Sequence, residues 1–257
     1  MLAKQKRWSR WDIVRNLVAK EIKVRYMGTF LGFVWALGNP LVSIITYFLV
    51  FTYILPTGQD RFALHLVTGI FHWVLFAQLV PQSCEWLTNN HHLLQKIRFP
   101  RILLPVSATL TVGVFWGVAM LMYCMLFPLL GGVATWALLW YPVILLCFVA
   151  MILGVGLLLS VLQVLYRDIK HLADVLVPLL FWLTPIVWVR SNLSADVRAI
   201  VVYNPIAPFF NAFTSILHDS SRPEMGDVLW CIGVAAAALT VGVTVFSRKV
   251  DALVDIL

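Results

Sequence analysis

WALLWYPVILLCFVAMILGVGLLLSVLQ, residues 136–163, contains no Asp, Glu, Lys or Arg. A helix needs roughly 20 apolar residues to cross the hydrocarbon core of a bilayer, and this run is longer. Gly131-Gly132 marks a tight turn before it, and the charged loop Tyr166-Arg-Asp-Ile-Lys-His171 follows it. Working outward, five further apolar runs occur at about 28–55, 63–84, 102–130, 172–190 and 226–246. The composition agrees. The chain is 61% hydrophobic and only 12% charged, whereas a soluble domain carries about 25% charge. Its mean hydropathy is +0.89. These features predict an all-α membrane protein with six transmembrane helices, residues 28–257. An interfacial segment, residues 1–27, precedes it.

The basic residues set an orientation. Fifteen of the 19 Lys and Arg fall in the N-terminal segment, in the 85–101 loop, in the 166–171 loop and after the sixth run. The other four, Arg61, Arg190, Arg198 and Arg222, fall on the opposite side. Positive charge marks the cytoplasmic loops, so both termini are expected in the cytoplasm of a bacterium, with the chain in its inner membrane. The formal charge of +7 then belongs to a surface facing anionic lipid. No base-reading motif accompanies it, so nucleic acid is not an expected partner. The first long apolar run begins near Gly28 and exceeds the roughly 7–15 residues of a signal core. It is expected to stay in the mature protein.

Residues 199–217, AIVVYNPIAPFFNAFTSIL, could pass for a seventh span. Asn204-Pro205 and Pro208 interrupt it, and proline in a helix interior removes a donor and clashes with the preceding turn. Polar flanks bound it, and a seventh span would send Arg248 and Lys249 outside. We read residues 191–225 as a re-entrant helical hairpin between spans five and six, dipping in from outside. Non-helical backbone at that depth is tolerated where protein shields it or where it lines a wet cavity. Tyr203, Asn204, Pro205 and Pro208 are therefore candidate outer-gate residues. A plug without a gating role is the alternative.

Residues 8–26 read as an amphipathic helix. Trp11, Val14, Val18 and Ile22 share one face, while Arg15, Lys20 and Lys23 lie largely away from it, with Arg25 at its end. Such a helix lies in the membrane interface. It serves as an anchor or as a guide for a lipid-linked substrate.

Several chemistries are missing. There is no G-x-x-x-x-G-K-[ST] phosphate loop. No carboxylate pair at an interface supports a glycosyl-transfer enzyme. The span cores read as free of Asp, Glu, Lys and Arg, unlike ion-coupled transporters. His65 and His72 read as helix–helix hydrogen-bonding groups, and His91-His92 as a solvated pair. Cys84, Cys124, Cys147 and Cys231 form no C-x-x-C pair and read as apolar packing residues. No metal site is expected. A transporter with none of these needs a partner that hydrolyses ATP.

An ordered set of blocks then carries a resemblance. Arg15-Asn-Leu-Val-Ala-Lys-Glu-Ile-Lys-Val-Arg-Tyr26 precedes Gly28-Thr-Phe-Leu-Gly-Phe-Val-Trp35 and Asn39-Pro40-Leu41. Leu94-Gln-Lys-Ile-Arg-Phe-Pro-Arg101, Tyr166-Arg-Asp-Ile169, Trp182-Leu-Thr-Pro-Ile186 and Tyr203-Asn-Pro205 follow. Together they resemble type-2 ABC exporter permeases of the O-antigen, capsule and teichoic-acid polysaccharide family, over essentially the whole chain. The resemblance implies a homodimer bound to two copies of a cytoplasmic ABC ATPase, which holds the ATP and Mg; no cofactor is implied for this chain. It implies a substrate glycan on an undecaprenyl-type lipid, and a channel lined mainly by spans one and five. It makes the 85–101 loop a coupling loop, with Leu94, Lys96, Ile97, Arg98 and Phe99 as ATPase-docking candidates.

A glycan offers apolar C–H faces that lie well on aromatic rings. Trp35, Tyr47 and Phe51 in span one, and Phe181, Trp182 and Trp188 in span five, are the channel candidates. Trp and Tyr also concentrate at membrane interfaces for other reasons. Gly28-x-x-x-Gly32 and Gly113-x-x-x-Gly117 permit close helix contact. Competing readings are a permease for a smaller amphiphile, a membrane enzyme acting on lipid-linked sugars, and a stand-alone channel.

Overall fold

The computed structural model describes residues 9–26, 34–54, 61–96, 99–188 and 204–254, all of them in helices, turns or irregular connections. We number the α-helices in chain order. They are α1 (Arg10–Tyr26), α2 (Val34–Leu49, continued by a π-helical turn, Val50–Ile54), α3 (Phe62–Ser83) and α4 (His91–Lys96). Then come α5 (Leu103–Leu129), α6 (Tyr141–Leu165), α7 (Ile169–Leu183), α8 (Ala207–Leu217) and α9 (Met225–Val254). Four helices are long and apolar enough to cross a bilayer: Phe62–Ser83, Leu103–Leu129, Trp136–Leu165 and Met225–Leu253. They correspond to the second, third, fourth and sixth expected runs. Helices α2 and α7 overlap the first and fifth runs in part, and neither is among those four. The 15 residues of α7 rise only about 22 Å at 1.5 Å each. The helix stops where Thr184 turns extended ahead of Pro185, because a residue before proline is pushed out of the α region.

Helix α3 is the hub. Its central window is 78% buried, and it touches α2, α5, α6, α7 and α8. Polar side chains tie it to its neighbours. Thr68 Oγ1 lies 2.8 Å from the Tyr123 hydroxyl, Trp116 donates to the Phe71 carbonyl at 2.8 Å, and His72 Nε2 lies 3.0 Å from the Tyr141 hydroxyl. His72 thus holds α3 to α6, the helix–helix role expected of it. Hydrogen bonds of this kind contribute about 0.6–2 kcal/mol within a bilayer. His65, given the same expectation, has no hydrogen-bond partner for either ring nitrogen among the described residues and meets Phe62 and His218 through its ring.

Helices α6 and α9 cross more closely than side chains would allow. A Cβ on Gly242 would lie 2.1 Å from the Gly154 carbonyl oxygen, and one on Gly154 would lie 2.4 Å from the Ala238 carbonyl carbon. Gly113 and Gly117, by contrast, have nothing within 4 Å of an added Cβ. Their face of α5 is unfilled among the described residues. The Gly131-Gly132 turn forms as expected, with Gly131 at φ +83° and Gly132 donating to the Phe127 carbonyl at 2.9 Å.

The loops sort into two ends. At one end Arg101 reaches the Val250 carbonyl at 2.8 Å and Asp251 at 2.6 Å, Lys170 pairs with Glu85, and α1 borders Gln82 and Asn89 across a shared cavity. At the other end Arg61 donates to the Gly131 carbonyl at 3.2 Å and Thr135 to the Ser220 carbonyl at 3.1 Å. The loops grouped by charge in the sequence are therefore grouped in space.

Candidate functional site

Between α2, α3 and α7 lies a cleft of about 370 Å³. Tyr47 comes from α2, Trp73, Ala77 and Pro81 from α3, and Asp174 and Phe181 from α7. Helical spacing places Asp174 and Phe181 two turns apart on one face of α7, and Trp73, Ala77 and Pro81 along one face of α3. Tyr47 and Phe181 stack with centroids 5.3 Å apart, and the edge of Trp73 meets Phe181 at 5.4 Å. The rings cover one another at the aromatic end of the cleft.

Two of the expected channel residues, Tyr47 and Phe181, are thus brought together. Trp182 is 56% exposed and meets Phe181 edge-on. Trp188 sits beyond the helix end, donating to the Trp182 carbonyl at 2.9 Å. Of the cleft residues that were not anticipated, Trp73 and Asp174 bring an aromatic ring and a charge. Trp73 is one of 11 tryptophans, and nothing in the sequence singles it out. Asp174 stands three residues into the fifth run, near its loop end, and lines the cleft as an exposed side chain.

A second constellation joins the end of α7 to α8. Asn204 is 5% exposed. Its Nδ2 donates to the Leu183 carbonyl and to Thr184 Oγ1, both at 3.0 Å, and its Oδ1 accepts from the Ile206 backbone at 3.0 Å. Thr184 donates in turn to the Leu180 carbonyl at 2.6 Å. The Leu183 carbonyl and the Thr184 hydroxyl at the break are therefore bonded by Asn204, three residues ahead of α8. The break rests on α3, where a Cβ on Gly69 would come within 2.8 Å of Ile186. Pro205 accepts a hydrogen bond from Trp230 of α9 at 3.2 Å. Pro208 sits in the first turn of α8, where a missing N–H has no intrahelical partner to lose. Of the expected outer-gate residues, Tyr203 lies outside the described residues.

In the 85–101 loop, Leu94 is 6% exposed and belongs to the core, and Phe99 packs against that core. Leu94 holds α4 onto the bundle. The side chains of Lys96, Ile97 and Arg98 lie outside the described residues, as do those of Arg25, Trp35 and Phe51. On α1, Val14 is buried and Trp11 is 68% exposed, with Arg15, Lys20 and Lys23 exposed. Beside Lys170, the hydrogen-bonding Glu85 carboxylate holds the ammonium above the usual lysine value.

With this architecture described, the chain can be placed among known proteins. Residues 14–218 match the family described as ABC-2 type transporter. The chain belongs to that family. It is a transporter subunit of the multi-pass membrane kind, and the family implies an ABC transporter with an ATPase partner. The chain is 25% identical over 236 residues to the O-antigen export system permease protein RfbA of Myxococcus xanthus, covering 91% of each. It is 24% identical over 240 residues to RfbA of Klebsiella pneumoniae, covering 93% of this chain and 92% of the relative. A second Klebsiella pneumoniae RfbA is 25% identical over 234 residues.

Proposed function

We propose that this ABC-2 permease moves a lipid-linked polysaccharide, of the O-antigen kind, from the cytoplasmic to the outer side of the bacterial inner membrane. A separate ABC ATPase supplies the energy. The observation that carries the reading is the aromatic cleft where Tyr47 of α2 meets Phe181 of α7. The resemblance assigns the channel to spans one and five, and this contact joins those two helices. The names of the similar proteins support the cargo.

In this reading α2 and α7 complete a six-span bundle with both termini in the cytoplasm. Two copies pair, each docking one ATPase through the 85–101 loop, with Lys96, Ile97, Arg98 and Phe99 toward the partner. Helix α1, with Arg15, Lys20, Lys23 and Arg25 at the headgroups, guides the lipid-linked glycan inward. Residues 191–225 form the re-entrant gate, with Asn204 holding it to the end of α7. Trp35, Phe51, Trp182 and Trp188 extend the aromatic path.

The test is purification of the tagged chain from its native membrane, followed by export in a host lacking its own permease. The expected result is a complex with an ABC ATPase, and surface glycan that appears only when both subunits are present. A chain that restores surface glycan without any ATPase contradicts the proposal.

A further inference from the structure

The cleft between α2, α3 and α7 contains one charged side chain in otherwise largely apolar walls. Asp174 makes no hydrogen bond or ion pair among the described residues. Lys170, one turn earlier, is engaged by Glu85. Asp174 is exposed at the cleft, so its carboxylate is open to a ligand that enters there. An ionised carboxylate is acceptor-only, so its complement is a donor-rich ligand. Tyr47 and Trp73, which line the same cleft, suit the apolar C–H faces of a sugar ring, whose hydroxyls supply the donors.

We propose that this cleft is a saccharide-binding subsite in which Asp174 accepts hydroxyl hydrogen bonds from a sugar ring stacked on the aromatic wall. It lies toward the end of the bundle that holds α1, below the Tyr47–Phe181 stack, so the sugar reaches Asp174 before it parts the rings. The inference rests on the exporter reading above and gives that reading a specific polar contact. An organic cation is the other ligand that an aromatic and acidic cleft can take. The Lys170 ammonium, whose charge interacts with that of Asp174, opposes a cation and favours a neutral polyol.

The test uses the permease purified with its ATPase. A carbodiimide and an amine label accessible carboxylates, and labelled peptides are quantified with maltoheptaose or choline as the probe. Maltoheptaose is expected to slow labelling of Asp174 severalfold and to leave exposed Asp168 unchanged. Protection by choline alone, or by neither probe, overturns the subsite. In export assays Asp174→Ala is expected to lower surface glycan about tenfold, the effect of one lost hydrogen bond to a charged acceptor. Asp174→Glu should recover most of it, at equal membrane abundance. Export by Asp174→Ala equal to wild type overturns the subsite too. Failure of the exporter reading shows separately, as a wild-type chain that exports nothing, and the labelling result still decides the subsite.

Discussion

Tyr47 and Phe181 stack with ring centroids 5.3 Å apart and planes 29° from parallel, although 134 positions separate them in the sequence. Aromatic pairs of this geometry contribute about 0.5–1.5 kcal/mol beyond their buried area. A passing sugar can replace one ring face with another at little net cost. Tyr47→Ala and Phe181→Ala should each lower surface glycan, and the double variant should be no worse than the poorer single. Thermal unfolding of the purified permease should show a coupling of about 1 kcal/mol between the two sites. Strict additivity in both assays would separate the rings functionally.

The Asn204–Thr184 bond should behave as a unit. Thr184→Ser keeps the hydroxyl and should export nearly as wild type. Thr184→Val and Asn204→Ala leave buried polar partners unsatisfied, at about 1–3 kcal/mol each. Both should lower export, and their combination should cost less than the sum of the two. Export and unfolding midpoints measured on the same preparations decide it. A Thr184→Val variant indistinguishable from wild type would remove this bond from the account.

Much of the fold is legible because apolar length is a strong signal. The run at 136–163 can hardly be anything but a span, and Gly131-Gly132 forms the turn its residues imply. The pairing of loops at each end follows from charge alone. Sequence could not show that Asn204 reaches Thr184, since periodicity carries no information about contacts between helices. Asp174 was hidden by its neighbours: three residues from the loop 166–171, it reads as a loop charge. Leu94 shows a second ambiguity. In a six-residue helix, an apolar side chain available for docking and one anchoring the helix to its own core look alike.

His72 and Tyr141 offer a stability test away from the cleft. Tyr141→Phe removes the 3.0 Å contact to His72 Nε2 with little change in volume. Unfolding in bilayer-like detergent should show a loss of about 0.6–2 kcal/mol. Surface glycan should stay near wild type in cells with matched protein levels. A large export defect at full stability would instead give His72 a place in transport.

Glycines separate contacts within the chain from contacts between copies. Gly242→Val meets the Gly154 carbonyl and should prevent accumulation of folded protein, seen as loss of a monodisperse peak in detergent. A Cβ on Gly113 meets nothing among the described residues, so Gly113→Val should fold. If that face packs on a second copy, Gly113→Val should weaken self-association as measured by crosslinking. Normal accumulation of Gly242→Val would contradict the close α6–α9 crossing.

Docking of the ATPase should depend on the 85–101 loop. Phe99→Ala or Arg98→Glu is expected to abolish export while leaving membrane insertion intact, with ATPase recovery in pull-downs reduced by Arg98→Glu. Normal export by both variants would contradict the assignment of that loop.

The central claim is that this chain carries a lipid-linked glycan across the membrane when a partner hydrolyses ATP. Proteoliposomes containing the permease and its ATPase, loaded with the host's lipid-linked glycan, test it directly. Glycan accessible to an added glycosidase on the face opposite the ATPase is the quantity to measure. The account predicts that ATP increases this accessible fraction with time, that a non-hydrolysable analogue does not, and that Asp174→Ala slows the increase about tenfold. An accessible fraction that stays constant with ATP, in vesicles whose ATPase is active, would contradict it.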